Sequence, residues 1–280
     1  MPNETHDESE PASALSDIEV DAVAQRKAGS AKVVHEVIRL QGDEELDRPL
    51  LSLMFSAFAA GVAISASIIT EASIATRLPD APWKELIVAL GYPVGFVLVI
   101  LGNLQLFTEN TVTAVLPLAT HPTLRNLGRM LRLWAAVLAA NMAGTFLVAL
   151  LMMHRVVLSA DQLEAALVLS RTALDHPPAD VLLLGMPAGF LVATIAWILP
   201  NARGSEFWVV LLITYAIAIG GFSHVVAGSA EAWLVALSGQ TSFASAIGGF
   251  ILPALAGNII GGTGLFAVLA HGQVRPEMKD

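Results

Sequence analysis

The sequence contains no cysteine, which excludes disulfides, thiolate metal sites and thiol catalysis while leaving the compartment open. Charge is scarce too: 14% of the 280 residues are Asp, Glu, Lys or Arg, where a soluble domain carries about a quarter. Its long apolar runs hold no Lys or Arg, so a fixed cationic trap inside a pore is excluded. One histidine inside the spans and two glutamates beside them are too few inward ligands for a metal transporter. What is abundant is apolar: 55% of residues are hydrophobic and the mean hydropathy is +0.67, the composition of a polytopic membrane protein.

The net charge of −9 belongs to one end, because 12 of the 24 acidic residues lie in the first 50 positions. The opening, MPNETHDESEPASALSDIEVDAVAQRKAGS, lacks the basic start and apolar core of a secretory signal. Its low hydrophobicity predicts disorder over 1–30, followed by a short amphipathic helix at about 31–41 with Val33, Val34, Val37 and Ile38 on one face. The expected organisation is a tail at 1–40, a membrane domain at 41–274 and a short tail at 275–280.

A crossing helix needs ~20 mainly apolar residues. The runs 49–70, 86–108, 133–153, 181–202 and 207–230 meet that length without a charge. A sixth run, 232–274, divides at Gly239–Ser242 into the end of the fifth span and a last span at about 244–270. Six spans put both chain ends on one side. Arg125, Arg129, Arg132 and Arg203 then mark the inner loops, so both termini are expected in the cytoplasm.

Two spans are interrupted at matching places. The second ends in GNLQLFTENTVTAVLPL (102–118) and the fifth in GGFSHVVAGSAEAWLVAL (220–237). Unwound backbone inside a membrane must be buried in protein or line a wet cavity. Paired interruptions in two three-helix halves of opposite topology point to a substrate site near the midplane. His224 is the one histidine inside these spans, and an ionisable group there marks a functional site by default. An anion meeting this imidazole acquires or shares a proton and crosses nearly neutral, while the half-helix N-termini offer it N–H groups. Glu109 and Glu231, just past the breaks, are expected to cap the second half-helices.

An enzyme is disfavoured: Ser223 and His224 are neighbours on one segment and point apart, and no G-x-S-x-G occurs. No cofactor and no nucleic acid is expected. A proton-coupled alternating-access carrier is the alternative to a channel, and a non-transporting scaffold is the plain alternative to both.

The motifs LFTENT (106–111), Gly221–His224 and GNIIGG (257–262), each in its own span, resemble those of the formate/nitrite transporter family, over roughly 40–275. The acidic tail and LFTEN resemble its YfdC-like branch. The resemblance implies an all-α membrane protein of two inverted three-helix repeats with an aquaporin-like outline, assembled as a homopentamer in the inner (plasma) membrane. It implies a pore in each protomer for small monovalent anions of the formate, nitrite, acetate and hydrosulfide class, and for protons. Leu106, Phe107 and Thr108 take the loop positions of the family's broken helix, His224 its central histidine and Asn258 its pore-lining asparagine. The apolar constrictions fall by offset on Tyr92, Phe96 and Ile217. Two features depart from the family pattern. Ser223 and Gly228 stand where members carry Glu and Asn, and a lysine of the outer approach is absent from RTALDHPPAD (171–180).

Overall fold

The computed structural model describes residues 29–277, and every regular element among them is helical. The expected disordered tail at 1–30 falls almost wholly outside these residues. Five helices are long and apolar enough to cross a membrane: α2 (Leu50–Ala75), α3 (Lys84–Leu101), α6 (Leu124–Met153), α8 (Pro178–Asn201) and α11 (Phe243–Val274). The broken second span continues from α3 into α4 (Phe107–Thr113) and α5 (Val115–Thr120). The broken fifth span is made of α9 (Glu206–Ile219) and α10 (Val225–Leu237). The helices follow in the order expected for six spans, with α11 beginning at the turn expected over 239–242.

Polar residues set the boundaries. Thr123 caps α6 by accepting the Asn126 N–H, and Ser242 caps α11 by accepting the Ser245 N–H. α6 has 30 residues and starts well before the expected 133, because Arg125, Arg129 and Arg132 extend the helix beyond its charge-free stretch. A further helix outside the charge-free runs, α7 (Ala160–Leu174), lies between the third and fourth spans. It opens with a Ser159–Gln162 capping box and carries too many polar residues to register as a span.

The amphipathic helix α1 runs Ala31–Asp47, longer than expected and across the boundary drawn at 40. Val34 and Ile38 are buried against Leu116 and Trp197, whereas Val33 is 53% exposed and does not share their face. His35 Nε2 lies 3.1 Å from His271 Nδ1, so α1 is fastened to the end of α11.

The two halves repeat the same construction. α2 packs on α6 and α8 packs on α11, in each case through small residues. Gly61 abuts the Asn141 carbonyl and Gly189 the Asn258 carbonyl; Gly144 and Gly261 abut the Phe58 and Met186 carbonyls. Small residues let helices approach closely in lipid, where water exclusion supplies no drive. A Cβ built at Gly261 would overlap the Met186 carbonyl, which is backbone and cannot move aside. Gly261→Ala is therefore expected to destabilise the protein by about 1–3 kcal/mol, the usual range for overpacking. Thermal unfolding in detergent, set beside a Gly264→Ala control with room for the methyl, measures it.

Candidate functional site

Each break closes the preceding helix in the same way. After α3 the Asn103 N–H bonds the Ile100 carbonyl and the Leu104 N–H the Val99 carbonyl, at 3.1 and 3.0 Å. After α9 the Gly221 N–H bonds Ala218 and the Phe222 N–H bonds Ile217, both at 3.1 Å. Asn103 and Gly221 hold the left-handed backbone, φ 50° and 62°, that such a helix end requires. Three extended residues later the chain re-enters a helix.

One asparagine from the last helix of each half holds each re-entry. Asn141 Oδ1 accepts the Phe107 N–H at 3.0 Å, and its Nδ2 donates to the carbonyls of Ala57 and Gln105 at 2.7 and 3.0 Å. Asn258 Oδ1 accepts the Val225 N–H at 2.9 Å, and its Nδ2 donates to the carbonyls of Gly185 and Ser223 at 2.9 and 2.8 Å. Both side chains are fully buried, and unwound backbone in a membrane needs such partners. The expected caps, Glu109 and Glu231, do not make these bonds. Glu109 sits in the first turn of α4 with no side-chain hydrogen bond to it, and Glu231 lies seven residues into α10. Of the first three amides of each half-helix, the middle one, on Thr108 or Val226, has no acceptor among the described residues.

The two re-entries meet through His224. Its Nδ1 accepts the Ala227 N–H at 3.1 Å, capping α10, so the ring hydrogen resides on Nε2. Nε2 donates to Thr108 Oγ1 at 2.8 Å, which leaves the threonine hydroxyl hydrogen to donate onward. Phe96 stands edge-on to the imidazole at 4.9 Å and Tyr92 stacks beside Phe96 at 5.0 Å. Ile217 is buried alongside. Tyr92, Phe96, Thr108, Ile217 and His224 thus come together, with Leu106 and Phe107 buried in the adjoining break. Asn258 holds the backbone behind His224 rather than facing open space.

A cavity of about 690 Å³ opens on the side away from α1 and reaches His224. Glu71, Tyr92, Ile217, Ser223, His224 and Glu231 line its deep part. Glu85, Glu164, Lys84 and His176 stand toward its mouth. His224, Gly228 and Glu231 share one face of α10, and Phe250 rests on Gly228 where a side chain would collide with its ring.

The family follows from comparison with known proteins. The sequence pattern of the Formate/nitrite transporter family matches residues 32–272. The chain belongs to the formate/nitrite transporter family. That places it among membrane transport proteins, not enzymes. It is 36% identical to the inner membrane protein YfdC of Escherichia coli over 263 residues, 94% of this chain and 84% of that one. It is 25% identical to the formate channel BtFdhC of Bacillus thuringiensis over 240 residues, 82% of this chain and 90% of that one. A solved structure described as a pentameric formate channel with formate bound shares its fold, with a TM-score of 0.70 at 22% identity, covering 81% of this chain and 98% of the other.

Asn141 and Glu71 were missed in the sequence. Asn141 carried a signal: Asn141–Gly144 and Asn258–Gly261 both read N-x-x-G, in corresponding helices of the two halves. Glu71 lay one residue past the expected end of the first span, whereas α2 continues to Ala75.

Proposed function

We propose that this protein conducts small monovalent weak acids of the formate, acetate, nitrite and hydrosulfide class through a pore in each protomer of a homopentamer. It resides in the inner membrane with both termini in the cytoplasm. The observation that carries the reading is the cavity ending on His224, whose contact with Thr108 brings two half-helix N-termini together. A converging pair of positive dipole ends favours an anion, and the pair adds a hydrogen-bond donor without adding fixed charge.

The geometry shapes the role of His224. With Nδ1 taken by the Ala227 N–H, the ring has no vacant nitrogen to receive a proton from the solute. It serves through Nε2 and the Thr108 hydroxyl as a donor, and the solute carries its own proton past the apolar constriction. Glu85 and Glu164 stand with Lys84 and His176 toward the cavity mouth, so no net positive charge draws a bare anion in. The undissociated acid is the species that passes.

Uptake of labelled formate and acetate into proteoliposomes tests this. Flux should rise about tenfold for each unit by which the pH on the cavity side falls, following the neutral fraction of a weak acid well above its own pKa. Sulfate should not pass. Equal sulfate flux, or formate flux indifferent to pH, overturns the reading.

A further inference from the structure

On the side opposite the cavity, the last turn of α1 carries Glu45 into the first break. Glu45 Oε1 accepts from Gln105 Nε2 at 3.3 Å, and Oε2 accepts from Asn110 Nδ2 at 2.9 Å and Thr113 Oγ1 at 2.7 Å. The three donors belong to the break and to α4, and they are nearly inaccessible, at 6%, 1% and 3% exposure. They hold one another in place: Asn110 Nδ2 also donates to Gln105 Oε1 at 3.2 Å, and the Gln105 N–H donates to Ser56 Oγ at 3.1 Å. Asn110 Oδ1 is buried without a partner among the described residues. Burial drives the Glu45 carboxyl above its ordinary range, while the hydrogen bonds from Thr113, Gln105 and Asn110 and the nearby Arg48 charge pull it back down.

This is a carboxylate-binding arrangement whose occupant comes from a different part of the chain. Its place in the repeat identifies what else it could hold. Asn110 and Thr113 follow Phe107 as Gly228 and Glu231 follow Val225, and the latter two line the cavity that reaches His224. The donors therefore occupy, in the first half, the positions that face the pathway in the second.

We propose that Gln105, Asn110 and Thr113 form a second solute site, for a small monocarboxylate, on the α1 side of the Thr108–His224 pair, and that Glu45 fills it as a tethered competitor. The monocarboxylate as ligand rests on the function proposed above. Uncharged donors suit such a site, because charge-assisted hydrogen bonds to a carboxylate are about twice as strong as neutral ones and none of the three donors carries a charge that would trap the solute. A tethered carboxylate competes at an effective concentration of millimolar order, so a free acid binds well only when Glu45 withdraws. α1 stays fastened by His35 and His271, by Val34 and Ile38, and at its last turn by buried Leu46, whose carbonyl accepts from Arg132, so withdrawal is a swing of the Glu45 side chain.

The test is equilibrium binding of acetate to the full-length protein in detergent, followed by tryptophan fluorescence. Trp134 Nε1 donates to the Asn110 carbonyl at 3.1 Å and so reports on the site. Glu45→Ala should give a saturable acetate response with a half-point at least tenfold below that of the wild type. The response should vanish in Glu45→Ala/Asn110→Ala/Thr113→Val and in Glu45→Ala/Trp134→Phe. Glu45→Gln, which keeps the size of the side chain but not the charge, should show the same response with a smaller shift and serves if the alanine variant does not fold. No saturable response in either Glu45 variant, or one that survives loss of Asn110 and Thr113, overturns the proposal. Binding by Glu45→Ala in a protein whose proteoliposomes carry no weak acid would sink the proposed transport function and leave this site standing. Transport without binding would do the reverse.

Discussion

Replacing His224 by phenylalanine is expected to reduce weak-acid flux by about 100-fold. A hydrogen bond to a charged or ionising group contributes about 1.5–3 kcal/mol, and each 1.36 kcal/mol at a barrier changes a rate tenfold. Phenylalanine removes the Nε2 donor that polarises the Thr108 hydroxyl and places a second aromatic face beside Phe96. It also leaves the Ala227 N–H without its acceptor, a loss of about 1–3 kcal/mol that a folded protein of this size tolerates. His224→Asn separates two accounts of the histidine. Asparagine offers an oxygen in place of Nδ1 and so keeps the cap on the Ala227 N–H, but its amide nitrogen stops short of the place of Nε2, so it loses the bond to Thr108 together with the ability to titrate. If the imidazole acts as a donor and the solute brings the proton, the variant loses flux yet keeps the same relative rise in acid. If the imidazole itself cycles a proton, the pH profile flattens. Proteoliposome uptake at pH 5.5, 6.5 and 7.5, with gel filtration to confirm assembly, decides between them, and a flat profile refutes the donor role.

Much of this architecture was legible because the membrane imposes it. Charge-free length located the spans, and Gly102, Asn103, Gly220 and Gly221 located the breaks, since a helix end with left-handed backbone selects those residue types. The helix α1 was visible as a period of valines and isoleucine, although its extent was not. Its last turn, DEELD, reads as solvated acid in sequence, and Glu45 is buried only because Gln105, Asn110 and Thr113 meet it from about 60 residues away. Glu109 and Glu231 were misread for a related reason. A carboxylate near a helix start is the ordinary cap in water, but inside a membrane an uncharged amide does the same work with less desolvation. Asn141 and Asn258 supply that amide from another helix, and nothing local to either break announces it. The helix α7 escaped for the opposite reason: its amphipathic run lies outside the spans, where length and charge counts are silent.

The asparagine pair yields the largest expected effect on stability. Asn258→Ala leaves the Val225 N–H and the Gly185 and Ser223 carbonyls without partners, and Asn141→Ala does the same to the Phe107 N–H and the Ala57 and Gln105 carbonyls. Each stranded buried group costs about 1–3 kcal/mol, so a loss of roughly 3–6 kcal/mol is expected in either variant, with melting in detergent lowered by about 10 °C. Asparagine to aspartate should not rescue. It preserves the oxygen that accepts the half-helix N–H but turns a second oxygen toward two carbonyls. The family resemblance casts Asn258 as pore-lining, and a lining residue would behave differently: its removal would alter which acids pass and leave the fold intact. Its complete burial and its match with Asn141, which no such role singles out, instead predict equal losses of stability from the two alanine variants. Unfolding of Asn258→Ala within about 2 °C of the wild type, together with changed preference between formate and acetate, would return Asn258 to the pathway. Equal destabilisation by both would establish the two asparagines as the paired fasteners that keep each broken helix, and with it the His224–Thr108 contact, in place.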